Sequence, residues 1–158
     1  MADRAIIEEF LAHRRLALVG ASRNPKAFST AVYRELKAKG YDLVPVNPEA
    51  DEIEGDPCVG QVADLPEDIE GAIVMVPAPR AAEVVQACID KGIERVWLHK
   101  GVGPDSVSDE AVALGRAHGI AMVDGACPLM YAEPVGWFHR LHRAELRLTG
   151  RAPVASAS

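Results

Sequence analysis

The segment Gly20-Ala21-Ser22-Arg23-Asn24-Pro25-Lys26 has the make-up of an anion-holding turn. The apolar run Leu16 to Val19 breaks at a glycine into hydroxyl, amide and cationic residues, and a helical pattern starting near Phe28 follows. At the carboxyl edge of a central parallel strand, backbone N–H groups and the N-terminus of the next helix can hold a phosphorylated ligand. The glycine pattern departs from the dinucleotide fingerprint. G-x-G-x-x-G asks for glycine where this chain has Gly20, Ser22 and Pro25, so only the first is supplied. The second turn departs too. An NAD site uses a carboxylate at the end of the second strand, and an NADP site an arginine close by, whereas here Asn47 and Pro48 follow the run Leu43 to Val46. Asn47 can hydrogen-bond a ribose or a base, but hydride transfer is demoted.

These turns need a scaffold, and the chain has the periodicity for one. After an opening helix over Arg4 to Arg14, strand-like runs fall at Leu16 to Val19, Leu43 to Val46, Ala72 to Val76, Arg95 to His99 and Ala121 to Asp124. Helical segments over Phe28 to Lys39, Ala81 to Lys91 and Ser106 to His118 lie between them, ending at Gly40, Gly92 and Gly119 as C-terminal caps. Alternating strands and helices give right-handed crossovers and a parallel sheet covered on both faces. The expected fold class is α/β, a three-layer Rossmann-like doubly wound sheet of five parallel strands in the order 3-2-1-4-5. Between Glu49 and Gly71 the residues Gly55, Pro57, Gly60 and Pro66 predict a short hairpin or irregular loop instead of a helix. A last helix is expected over Gly136 to Leu148. One domain would cover residues 1–150, with 151–158 as a flexible tail rich in Ala, Pro and Ser.

Composition excludes several classes. A chain of 158 residues, 49% hydrophobic and 25% charged, is ordinary for a globular domain and too apolar for disorder. A net charge of −6 argues against nucleic acid or an anionic membrane as partner. No run approaches a membrane span, and Met1 to His13 lacks the apolar stretch of a signal peptide. Cys58, Cys88 and Cys127 are odd in number with no C-x-x-C pair, which points to free thiols in a reducing, cytoplasmic setting.

In a doubly wound sheet the ligand crevice lies past the carboxyl ends of the strands. There the chain places Gly20, Ala21 and Ser22, then Asn47 and Pro48, then Pro77, Ala78, Pro79 and Arg80, then His99, Lys100 and Gly101, then Asp124 and Gly125. The segments Gly20-Ala-Ser-Arg-Asn-Pro-Lys26, Tyr41-Asp-Leu-Val-Pro-Val-Asn-Pro48, and Cys127-Pro-Leu-Met130 with Gly136-Trp-Phe-His-Arg-Leu-His142 resemble the small stand-alone CoA-binding proteins. The resemblance spans about Val19 to Arg143. That family is similar in fold to the CoA-binding domain of the succinyl-CoA synthetase α subunit and of ADP-forming acyl-CoA synthetases.

The resemblance implies coenzyme A or an acyl-CoA in the crevice. Such a ligand carries a diphosphate and a 3′-phosphate, for which Ser22, Arg23, Lys26, Ser29 and Thr30 would supply donors and cations, and the helix starting near Phe28 its dipole. Ser22 has a competing role as a turn former, and Arg23 and Lys26 also suit a solvated turn. The resemblance further puts the adenosine end near Asn47 and Pro48 and packs Val76, Pro77 and Ala78 against the cofactor. Lys100 would touch a phosphate or nothing, and Arg80 reads either as a further neighbour of the cofactor or as surface charge.

No catalytic constellation is legible. The related synthetases use a phosphorylated histidine from a further domain, so no synthetase activity follows for this chain. His139 and His142 sit one helical turn apart, but lack the third and fourth ligands a zinc site needs. Cys127 reads as an inert packed thiol unless a nearby cation and exposure make it a nucleophile or a partner for a mixed disulfide with coenzyme A, and Asp124 and Glu133 make no acid–base pair. The apolar stripe Trp137, Leu141, Ala144 and Leu148 packs on the sheet or forms a dimer seam. The expected function is a CoA or acyl-CoA carrier, sensor or regulatory module, alone as a homodimer or beside a partner enzyme. The alternative is an NAD(P)-dependent oxidoreductase or another adenine-nucleotide-binding enzyme.

Overall fold

A computed structural model describes residues 4–99, 109–126 and 128–130. Its elements run in the order helix α1 (Arg4–Ala12), strand β1 (Arg15–Val19), α2 (Phe28–Ala38), β2 (Asp42–Val46), β3 (Glu52–Ile53), β4 (Asp56–Pro57), β5 (Gly71–Val74), α3 (Ala78–Lys91), β6 (Arg95–His99), α4 (Asp109–Ala117) and β7 (Ala121–Ala126). Leu16 to Val19 and Gly71 to Val74 are buried residue after residue, as a parallel strand covered on both faces requires.

The two faces divide the strand residues by alternation. Leu16, Leu18, Leu43, Ile73, Trp97 and Val123 pack with Ile7 and Phe10 of α1 and with Val32, Tyr33 and Leu36 of α2. Ala17, Val19, Val46, Ala72, Val74, Val96, Leu98 and Met122 pack with Ala81, Val84, Val85 and Cys88 of α3 and with Ala111 and Val112 of α4. Trp97 is fully buried and meets the Phe10 ring edge-on at 5.4 Å, so the largest side chain of the core pins α1 to β6, the neighbour of the edge strand β7.

The five-stranded parallel sheet and its three layers are as expected, but the strand order is not. The order is β2-β1-β5-β6-β7, so the third long strand lies beside β1, opposite β2, and not outside β2. Outside β2 there is a single parallel bridge, Val46 to Val59. The physical reason lies between β2 and β5. The two-residue strands β3 and β4 form a hairpin, and a 3-10 turn follows over Val62–Asp64. Gly55, Pro57 and Gly60 interrupt any longer ladder, reducing the outer strand to that one bridge. The next apolar run then crosses to the free side of β1.

The hairpin is clamped to α2 by Lys37 on Asp56 at 2.6 Å, by the Tyr33 hydroxyl donating to Asp56, and by Arg34 on Glu54. Burial works against ionisation of Asp56, yet the Lys37 and Tyr33 hydrogen bonds carry its carboxyl below the ordinary range. Helix α3 begins at Ala78, not Ala81. Pro77 is its N-cap and Pro79 lies in its first turn, where a missing N–H costs nothing. Lys100, Cys127, Glu133, the expected last helix and the tail 151–158 lie outside the described residues.

Candidate ligand crevice at the carboxyl edge

Gly20 ends β1 at φ +96°, the left-handed region that glycine enters freely. Its N–H donates to the Val46 carbonyl at 3.2 Å, and a Cβ on it would stand 2.6 Å from the Met75 carbonyl oxygen. The glycine is therefore required by the backbone of β1 against the β5 turn, in addition to any ligand's approach. Met75 itself donates its N–H to Val19 at 2.8 Å.

The loop after Gly20 is braced from within. The Ser22 hydroxyl accepts from the Asn24 N–H at 3.0 Å, and the Asn24 side chain accepts from the Lys26 N–H at 3.0 Å. Buried Thr30 donates between the carbonyls of Ser22 and Asn24, 3.2 and 2.7 Å away. Ser22 thus has the turn-forming role, and Thr30 is spent on the scaffold. Ser29 is buried beside it. Helix α2 starts at Phe28 with Ala27 as N-cap and no side-chain cap, while the Thr30 N–H donates to the Ala27 carbonyl at 3.1 Å.

Asn47 joins the second turn to the first. Its side-chain N–H donates to the Ala21 carbonyl at 2.8 Å, its side-chain oxygen accepts from the Glu49 N–H at 2.7 Å, and its own N–H donates to Val59 at 2.9 Å. Cys58 lies behind this turn, its thiol 3.7 Å from the Asn47 carbonyl; burial pushes the thiol pKa up, which disfavours the reactive thiolate.

Between these turns and α3 lies a cavity of about 720 Å³. Gly20, Ala21, Asn47, Pro48 and Val76 of the sequence-predicted set line it together. Ser22, Arg23, Lys26, Ser29 and Pro77 stand outside its lining, on the first turn, at the start of α2 and at the N-cap of α3. Of the far wall, sequence reasoning named only Arg80 at this edge and missed the rest. Arg80, Glu83, Val84 and Ala87 come from one face of α3, and Gln61, Val62 and Asp64 from the 3-10 turn. The spacing 80, 83, 84, 87 is that of neighbours on a helix face, legible once the helix start is moved back to Ala78. Glu49 also lines the cavity, two residues past Asn47.

The charges of this region are singular in one respect. Among the described lysines and arginines, Arg23, Lys26 and Arg80 alone have no side-chain partner. Elsewhere the cations are engaged, as Arg15 is with Asp42 and Asp68, Lys91 with Glu67 and Arg95 with Glu9. The three free cations sit on the two turns that flank the cavity.

On the opposite face of the same sheet edge, the Phe28 ring is 56% exposed and lies 5.2 Å from the ring of His99 at the end of β6. The His99 Nε2 is buried without a hydrogen-bond partner, and burial holds its imidazole below the ordinary pKa. Among the described residues no group of three His, Cys, Asp or Glu is placed to hold a metal ion.

A family profile described as a CoA binding domain matches residues 14–133. The chain belongs to this family. The CoA binding domain described here is 29% identical over 129 residues to the α subunit of acetate–CoA ligase (ADP-forming) II from Pyrococcus furiosus, covering 77% of this chain and 28% of that subunit. It therefore spans little more than a quarter of that relative. It is also 30% identical to the Bacillus subtilis protein YneT, covering 79% of this chain and 90% of that one. A solved structure of a hypothetical protein from Pyrococcus horikoshii OT3 superposes with a TM-score of 0.73 at 31% identity, covering 81% and 88% of the two chains. The domain thus matches both a part of longer ligases and proteins of nearly its own length. Among its described residues no helix is long and apolar enough to cross a membrane.

Proposed function

We propose that this CoA binding domain binds coenzyme A or an acyl-CoA at the carboxyl edge of its sheet, acting as a carrier, sensor or regulatory module for another enzyme. The phosphates lie on the turn from Gly20 to Lys26 and the start of α2, and the adenosine end enters the cavity beside Asn47 and Pro48. One observation carries the reading. The protein leaves Arg23, Lys26 and Arg80 without carboxylate partners around a cavity of about 720 Å³, while it pairs cations elsewhere. Unneutralised cations beside a helix start that has no side-chain cap are a complement for phosphate. The free thiols of Cys58 and Cys88 fit a cytoplasmic address, with burial pushing Cys88 up to about 12.

The NAD reading keeps one supporting observation. Glu49 lines the cavity just past the second strand, where a carboxylate can accept ribose hydroxyls. Calorimetric titration separates the two. Coenzyme A is expected to bind more tightly than NAD, with affinity falling as salt rises; equal or tighter binding of NAD overturns the proposal.

A further inference from the structure

The cavity wall has an uneven charge. Glu49, Asp64 and Glu83 bring three carboxylates, and Arg80 is the one cation among the described lining residues, for a formal lining charge of 1 − 3 = −2. Arg80 belongs to the first turn of α3, is exposed, and has no ion pair although Glu83 stands one turn along the same face. Arg80 thus lines the same cavity as Asn47 and Pro48 with its charge uncompensated. The carboxylates have a definite preference of their own. They accept hydrogen bonds from a free ribose diol and repel a phosphate placed on that ribose. A cavity with this wall and without Arg80 would favour the unphosphorylated ribose.

We propose that Arg80 is the specificity residue of the crevice: it pairs with the phosphate on the ribose of the ligand, and so selects coenzyme A over dephospho-CoA and other nucleotides with a free diol. Arg23 and Lys26, outside the cavity lining, serve the diphosphate, which both kinds of ligand share. This assignment rests on the CoA reading and adds to it a division of labour between two turns. A bidentate guanidinium suits a terminal phosphate, whereas lysine meets it as a point charge.

The test is a table of affinities for coenzyme A and dephospho-CoA with the parent protein, Arg80→Ala and Arg80→Lys, at one low salt concentration. The parent is expected to prefer coenzyme A by about tenfold or more. Arg80→Ala brings the ratio to about one or reverses it, because the three carboxylates then act unopposed. Arg80→Lys retains part of the preference. Melting temperature stays at the parental value, since the Arg80 side chain makes no contact that the fold uses. A parent without preference, an unchanged ratio in Arg80→Ala, or equal weakening of both ligands overturns the assignment while leaving CoA binding intact. Failure of the CoA reading shows differently, as a parent that binds neither ligand or binds NAD as well as coenzyme A.

Discussion

The two edges of the sheet handle charge in opposite ways. At the amino edge, Arg15 bridges Asp42 at 2.9 Å and Asp68 at 3.2 Å, Arg95 reaches Glu9 at 2.7 Å, and His13 stands between Glu9 and Glu70. At the carboxyl edge Arg23 and Lys26 on the first turn, and Arg80 in the cavity wall, have no side-chain partner among the described residues, although Glu49, Asp64 and Glu83 stand in the same wall as Arg80. Carboxylates are therefore not scarce at the carboxyl edge. The amino edge uses its ions to hold strand starts and α1 together, and the carboxyl edge keeps its cations available. The difference separates a face whose ions serve stability from one whose cations are free, which is what the proposed coenzyme A site requires.

The largest expected effect comes from the backbone of the carboxyl edge. Gly20→Val forces a side chain into φ +96° and into the Met75 carbonyl, and is expected to lower stability by about 3 kcal/mol or more in urea denaturation. An unchanged midpoint would show that the turn relaxes, leaving ligand access as the sole demand on that glycine.

The next effect contrasts the edges directly. Arg15→Ala, which removes two ion pairs from a side chain 28% exposed, is expected to cost about 1 kcal/mol in stability. Arg23→Ala and Lys26→Ala are expected to leave stability within about 0.5 kcal/mol and to weaken coenzyme A binding by about tenfold. Parental affinity in both variants at low salt would return these residues to the status of solvated turn charges.

The smallest effects are the pH dependences of the two edges. Burial opposes ionisation of Glu9, but hydrogen bonds from Arg95 and His13 bring its pKa below the ordinary 4.5, so its contribution is present above pH 4.5 and fades as pH falls through the folded value. His99 is depressed from 6.5 by burial alone; its neutral form belongs to the fold, and stability is lost as pH falls below 6.5. His99→Gln should flatten the upper window and Glu9→Gln the lower one in melting curves taken from pH 8 to 3. Coincident windows would mean that the edges are electrostatically coupled.

What was legible in the sequence follows from what each residue type enforces. The strands could be read because Leu16 to Val19 and Arg95 to His99 are apolar runs bounded by turn residues, and burial on both faces demands such runs. Gly92 closes α3 in the left-handed conformation, as expected of a C-terminal cap. Strand order was not legible, because no residue of Gly71 to Val74 says on which side of β1 it lies; that depends on how far the irregular segment before it can travel. Arg80 was hidden for a local reason. Pro77 and Pro79 read as a turn, although the first turn of a helix accepts proline, so the expected helix starts only at Ala81 and Arg80 at its opening reads as surface charge instead of sharing a face with Glu83 and Ala87. The first turn was placed correctly, but Asn47 could not be seen as a brace, since its partners Ala21 and Val59 are distant in sequence.

That brace has a kinetic corollary. Because Asn47 ties the rim at Ala21 to the rim at Glu49, and Val46 and Val59 close the circuit through Gly20 and Asn47 backbone bonds, this side of the mouth is already set before a nucleotide arrives. If coenzyme A binds as proposed, its encounter with this braced side is expected to be governed by diffusion and charge, and differences among ligands to be expressed in how slowly they leave.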